Sequence, residues 1–326
     1  MGPVVEIIYT NLLSPLILFF IIGIIATLVN SDLKVPEAFY TGYTMIILLT
    51  IGINGGRKLK NASFNEMFIT ILAALFLSIV MLGITYLLVK NVFKFDIPNS
   101  LALAAHYGSV SAVTFVAGLS FLDKMMVSYE DYMPAILVVM EGPAIVLAIV
   151  LYKIMMKKDS DSTSGLGEVF KEAFFGKSIF LLLGGIAIGL IAHQTELAKI
   201  EPLFGDLFYG ILSIFLLHMG MIATQQVRDL KGIKWYSFAY VFILPLIGGV
   251  CGILVGNFIG LSIGGTFILG VLTASASYIA APAAIEHSIP EANSGVYIGS
   301  SLGLTLPFNL IFGIPFYFWL SNFIVS

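Results

Sequence analysis

The chain has 326 residues, of which 59% are hydrophobic and 11% charged, and its mean hydropathy is +1.01. That is more apolar surface than a soluble core of this size can hide, so the composition excludes a soluble globular protein and points to a polytopic membrane protein. The formal charge of −3 is spread through loops with no basic tract, which excludes nucleic acid as a partner.

Apolar stretches of about twenty residues, enough to cross a bilayer, fall near 12–30, 37–55, 66–89, 98–121, 132–156, 177–193, 203–223, 235–259, 262–286 and 295–323. They predict an all-α fold with ten transmembrane helices. The N-terminal MGPVVEIIYTNLL lacks the basic head of a cleavable signal peptide, so the first span is expected to be retained. One clearly hydrophilic stretch, Lys157 to Lys177, divides the spans five and five. It reads as a flexible linker followed by a short interfacial helix. The expected units are therefore 1–156 and 177–326, joined by a linker over 157–176. Cys251 is the single cysteine, so no internal disulfide forms, and it reads as packing inside a span.

The two halves resemble each other. Val35 onward, VPEAFYTGYTMIILLTIGIN, aligns with EPLFGDLFYGILSIFLLHMGM from Glu201 when one gap is allowed, and Pro36 falls on Pro202. Further on, Ser109, Ser111 and Ser128 fall on Ser275, Ser277 and Ser294. Units with an odd number of spans must be inserted in opposite senses, which predicts two inverted five-helix repeats. That is the architecture of secondary transporters, with the site at the midplane where the repeats meet.

Lys and Arg set the expected orientation. The odd-numbered loops hold eleven of the 16 basic residues, among them Lys90, Lys94, Lys157, Lys158, Lys171 and Arg228. Both termini are then outside, the central linker is cytoplasmic and the chain is a multi-pass protein of the cell inner membrane. Arg57-Lys58-Leu59-Lys60 runs against that assignment.

Two runs of small and hydroxyl residues sit inside apolar segments: Gly108-Ser109-Val110-Ser111-Ala112-Val113-Thr114 and Ala274-Ser275-Ala276-Ser277-Tyr278. A lone Ser or Thr in a membrane helix bonds back to its own backbone or lets helices pack closely. Two runs in matching register read instead as helix breaks. Ser111 and Ser277 are each placed to cap a half-helix whose N–H groups and positive dipole end attract an anion. The expected solute-binding residues are Gly108, Ser109, Ser111, Ser275, Ala276, Ser277 and Tyr278. Hydroxyls and freed carbonyls suit a hard cation, with Ser111, Thr114 and Ser277 as the expected sodium ligands. Span 9 has no glycine beside its serines, so its break rests on the repeat register.

Glu141, in MEGPA, is an intramembrane carboxylate before Gly142-Pro143, where a charge costs about 3 kcal/mol unless partnered. It is expected to act in coupling or gating. Asn309 offers an uncharged oxygen at the corresponding place in the other half, and Thr114, Glu141 and Asn309 are the candidates for cation binding or coupling. His106 and His218 read either as pH-tuning groups or as hydrogen-bonded packing residues. Asn54 with Gly55-Gly56 is expected to end span 2 and allow close contact or a turn. His287 and Glu291 are read as loop residues.

IGINGG from Ile51, GSVSAVT in span 4, SYEDYM from Ser128, Glu141-Gly142-Pro143, MGM at Met219, the ASAS run at Ala274 and IPEANSGVYIGSS from Ile289 carry a family likeness. On these motifs the chain resembles the cyanobacterial-type sodium-dependent bicarbonate transporters, from span 1 to span 10. The resemblance implies a scaffold and a mobile core, a homotrimer, and sodium-coupled bicarbonate uptake at the crossing of spans 4 and 9. It also implies a PII-like, nucleotide-sensing regulator on the cytoplasmic side. Tyr278 stands where the cyanobacterial members carry an acid, and the linker is shorter than theirs.

The function expected is secondary active transport, with sodium as the coupling ion and no covalently bound cofactor. The rival readings are a passive anion channel, a proton-coupled carrier of another small solute, and a sensor that binds without flux. An enzyme is not expected, because the spans hold no metal-binding His pair, nucleophile–base pattern or paired acids.

Overall fold

The computed structural model describes residues 9, 11–60, 63–156, 176–229 and 238–325. Among them every regular element is helical. In chain order these are α1 (Pro15–Leu28), α2 (Glu37–Leu59), α3 (Phe64–Asn91), α4 (Ile97–Gly108), α5 (Ala112–Met125), α6 (Met133–Glu141) and α7 (Pro143–Met155). There follow α8 (Lys177–Ile191), α9 (Gln194–Glu201), α10 (Phe208–Asp229), α11 (Tyr240–Phe258), α12 (Ile263–Thr273), α13 (Ala280–Ser288) and α14 (Ser294–Val325). Seven helical segments among the described residues are long and apolar enough to cross a membrane, while 15–28, 177–191 and 263–273 are shorter apolar helices. The linker expected over 157–176 lies outside the described residues except for Gly176.

Local chemistry explains where the helices begin. Asp96 caps α4 by accepting from the Asn99 N–H at 2.9 Å, and Ser262 caps α12 by accepting from the Gly265 N–H at 3.1 Å. Pro98 sits in the first turn of α4, where its missing N–H would have had no partner anyway. The loop after α5 secures the start of α12, since Glu130 accepts from the Ser262 N–H at 2.6 Å and from its hydroxyl at 3.1 Å. In turn, the loop after α13 reaches the start of α4, where the Asn293 N–H donates to the Asn99 side chain at 2.8 Å.

Helix α14 is wound unevenly, with π-helical stretches at Gly299–Thr305 and Asn309–Gly313. Wide turns of this kind weaken the helix's own ladder, and neighbouring side chains bond to it, one at a backbone carbonyl and two at side-chain hydroxyls. Asn11 donates to the Leu310 carbonyl at 2.7 Å, while the Tyr240 hydroxyl bonds Ser300 at 2.7 Å and the Tyr107 hydroxyl bonds Thr305 at 2.6 Å.

Asn54-Gly55-Gly56 does not end span 2, because α2 runs on to Leu59. Of the two alternatives, close contact or a turn, the glycines give close contact. A Cβ at Gly52 would stand 2.5 Å from the Leu182 carbonyl oxygen, one at Gly185 would stand 2.9 Å from that of Leu49, and Gly56 and Gly189 leave still less room. Two pairs of glycines four residues apart thus bring the backbones of α2 and α8 together, the small-residue contact that holds helices in lipid. Gly23 and Gly220 do the same for α1 and α10. Gly184, one residue from this seam, faces open space. Gly56→Val and Gly189→Val should each destabilise the purified protein by about 2 kcal/mol, seen as a lower melting temperature in detergent, while Gly184→Ala leaves it equal or higher.

Candidate functional site at the crossing of two broken helices

The break between α4 and α5 consists of Ser109, Val110 and Ser111, with Ser109 at φ −92°, ψ −177° and Ser111 at φ −114°, ψ 116°, both extended. The break between α12 and α13 spans 274–279 and confirms the interruption inferred for span 9. Both are buried: Ser109, Ser111, Ser275 and Ser277 are each at most 3% exposed.

The two breaks meet. The Ser111 N–H donates to the Ser275 hydroxyl at 2.8 Å, and the Ser277 N–H donates to the His106 carbonyl at 2.9 Å. The Ser111 hydroxyl donates to the Tyr278 hydroxyl at 3.1 Å. Each interruption therefore supplies partners for groups that the other has released from its helix ladder.

Caps complete the arrangement. The Ser111 oxygen accepts from the Thr114 N–H at 3.1 Å and from the Thr114 hydroxyl at 3.0 Å, as expected of an N-cap. Helix α13 starts later than its counterpart, with Ile279 at the capping position, yet the Ser277 oxygen still accepts from the Ala281 N–H at 3.1 Å. The Ser275 hydroxyl donates back to the Leu272 carbonyl at 2.7 Å, and the Ser109 hydroxyl donates to the Glu141 carbonyl at 2.6 Å.

Ser111, Glu141, Ser178, Ser277 and Tyr278 surround a cavity of about 10 Å³ at this crossing. That is room for one water or one bare ion. Glu141 ends α6, is 4% exposed, and its Oε2 has no hydrogen-bond partner among the described residues. A buried carboxylate beside three hydroxyl-bearing serines is a donor set suited to a hard cation or a proton.

Other predicted residues act at one remove. Asn309 donates to the Ala274 carbonyl at 2.9 Å and accepts from the Tyr317 hydroxyl at 3.1 Å, so it braces the second break rather than facing the cavity. Gly108 is needed for close approach, since a Cβ there would stand 2.7 Å from that of Ala144. Ala276 is buried within the second break and does not line the cavity. His106 is fully buried and its Nδ1 donates to the Ala102 carbonyl at 2.7 Å, while its own carbonyl joins the crossing. His218 packs between α2 and α10, with its Nδ1 2.6 Å from the Tyr43 hydroxyl. Sequence reasoning missed Ser178, which follows Lys177 at the start of α8 and carries no motif.

With this geometry in view, the sequence profile of the Na+-dependent bicarbonate transporter superfamily matches residues 15–322. The chain belongs to that superfamily. A search of curated proteins finds no matching relative. Membership identifies a membrane protein of a transporter family rather than of an enzyme family, and an anion as the class of solute.

Ser275→Ala would strand the Ser111 N–H in a buried site, at a cost of about 1–3 kcal/mol. A melting temperature lowered accordingly in detergent is expected, whereas Ser294→Ala, outside the crossing, should leave it within a degree or so of the wild type.

Proposed function

We propose that this protein is a secondary active transporter that couples sodium to the import of bicarbonate or a similar small oxyanion. The observation that carries this reading is the pair of interrupted helices bonded to each other beside the buried Glu141 carboxylate, whose Oε2 has no hydrogen-bond partner among the described residues. A charge held there needs a cation beside it. Sodium is assigned to Glu141 with Ser111, Thr114 and Ser277, and Asn309 supports it through the Ala274 carbonyl. The anion is assigned to Ser109, Ser111, Ser275 and Ser277 with their backbone N–H groups and Tyr278.

Bicarbonate has four heavy atoms and exceeds the volume of the cavity. In this conformation, protein groups bond one another where solute oxygens would bind. Opening the crossing exchanges those bonds for bonds to the solute, which is a natural step of alternating access between a mobile core and a scaffold.

Several features support ten crossings in two inverted repeats. Residues 166 apart begin α4 and α12, and Asp96 and Ser262 cap them alike. Exchange of the halves maps the glycine contact of α1 with α10 onto that of α8 with α2. The same reading places both termini outside and 157–176 in the cytoplasm. The family resemblance adds a homotrimer and a PII-like regulator.

Proton coupling is the second reading, because a proton on Glu141 also removes the buried charge. Vesicles separate the possibilities: an inward sodium gradient should drive labelled bicarbonate above equilibrium, and a proton gradient alone should not. Equal flux without any cation gradient would identify a channel. Ser111→Ala combined with Ser277→Ala should abolish uptake in protein that still elutes as a folded species, and Glu141→Gln should weaken the sodium dependence at least about tenfold.

A further inference from the structure

A second, larger cavity of about 400 Å³ lies between α2 and α5, partly closed by the segment 204–209. It shares a wall with the crossing. Val116, Leu119, Ser120 and Asp123 of α5 line it, and Ala112, one turn earlier on the same face, lines the small cavity beside Glu141. Four residues of helix rise separate the two, about 6 Å along the axis.

The charges at its mouth are uneven. Arg57 and Lys58 both line it, and Asp123 is the one carboxylate among the residues that do. Asp123 already accepts from the Tyr209 hydroxyl at 2.6 Å. Arg57 is held by Glu201 at 2.6 Å. Lys58 is held less tightly: its ammonium donates to the Tyr129 hydroxyl at 3.1 Å, stands 4.2 Å from that ring's centre, and has Asp131 only at 3.8 Å. Deeper on the α2 wall lies Thr50, which is 1% exposed and whose hydroxyl has no hydrogen-bond partner among the described residues. Asn54 stands one turn above it. A cation at the mouth, an amide below it and an unsatisfied hydroxyl beneath form a descending set of donors for an anion.

We infer that this vestibule is an antechamber for a small oxyanion, in which Lys58 collects the anion and Asn54 and Thr50 receive it before it reaches the crossing. The inference rests on the transport reading above and deepens it. It also gives a physical reason for Arg57-Lys58, the basic cluster that opposes the orientation set by the other loops: a local positive field raises anion concentration at the entrance.

The test measures uptake of labelled bicarbonate by intact cells expressing the full chain. Lys58→Gln should raise KM about fivefold with the maximal rate kept, and Lys58→Arg should restore it. Asp131→Asn, which removes the competing carboxylate, should leave KM equal or lower. An unchanged KM in Lys58→Gln, or the same defect in Asp131→Asn, would overturn the inference and leave Lys58 with no role beyond its contacts with the loop after α5. A second measurement is independent of transport. In a Cys251→Ser background, Asn54→Cys should react faster with an anionic than with a cationic thiosulfonate of similar size, and Lys58→Gln should erase that preference. No preference in the starting protein would sink the antechamber, whereas a preference without sodium-dependent uptake would sink the transport reading alone.

Discussion

In hydrocarbon, a backbone N–H or carbonyl without a partner costs several kcal/mol, and a helix that stops midway releases several such groups at once. Here the debt of one broken helix is settled by the other: the Ser111 N–H by the Ser275 hydroxyl, the Ser277 N–H by the His106 carbonyl. Each interruption thus draws part of its hydrogen bonding from its neighbour. Asn309, holding the Ala274 carbonyl, meets the same requirement.

The rest of the chain holds that crossing in place by two kinds of contact. Glycine seams lock α1 to α10 and α2 to α8 at backbone distance, which favours rigid units. Polar ties of modest strength join α2 and α10 to α5 and the loop after it: Lys58 to Tyr129, Tyr209 to Asp123. Half-exposed pairs of this kind exchange readily with water. A division into tightly seamed helices and loosely tied ones is what a transporter needs if one group is to move against the other.

Much of this was legible in the sequence, for reasons that differ by residue. The apolar stretches are a matter of length, and the described helices fall along them. Ser111 was readable as a cap because its partner, Thr114, is three residues away. Ser277 was readable only through its register with Ser111. Glu141 stood out because a carboxylate in an apolar run demands an explanation. What could not be read depends on residues far apart in the chain. Ser178 reaches the cavity only because α8 packs there, and Asn309 turned out to brace a carbonyl 35 positions away. Gly55-Gly56 gives the close contact that the sequence suggests but not the helix end, because glycine weakens helices in water whereas in a bilayer its small size promotes packing.

The most direct check is whether the two breaks touch in the membrane. Ser111→Cys and Ser275→Cys can be combined in a Cys251→Ser background, with a protease site inserted between positions 157 and 175. After cleavage and mild oxidation, the two halves should run as one species on a non-reducing gel and separate on reduction. Two separate halves under oxidising conditions, in protein that remains folded, would contradict the crossing from which the whole account is built.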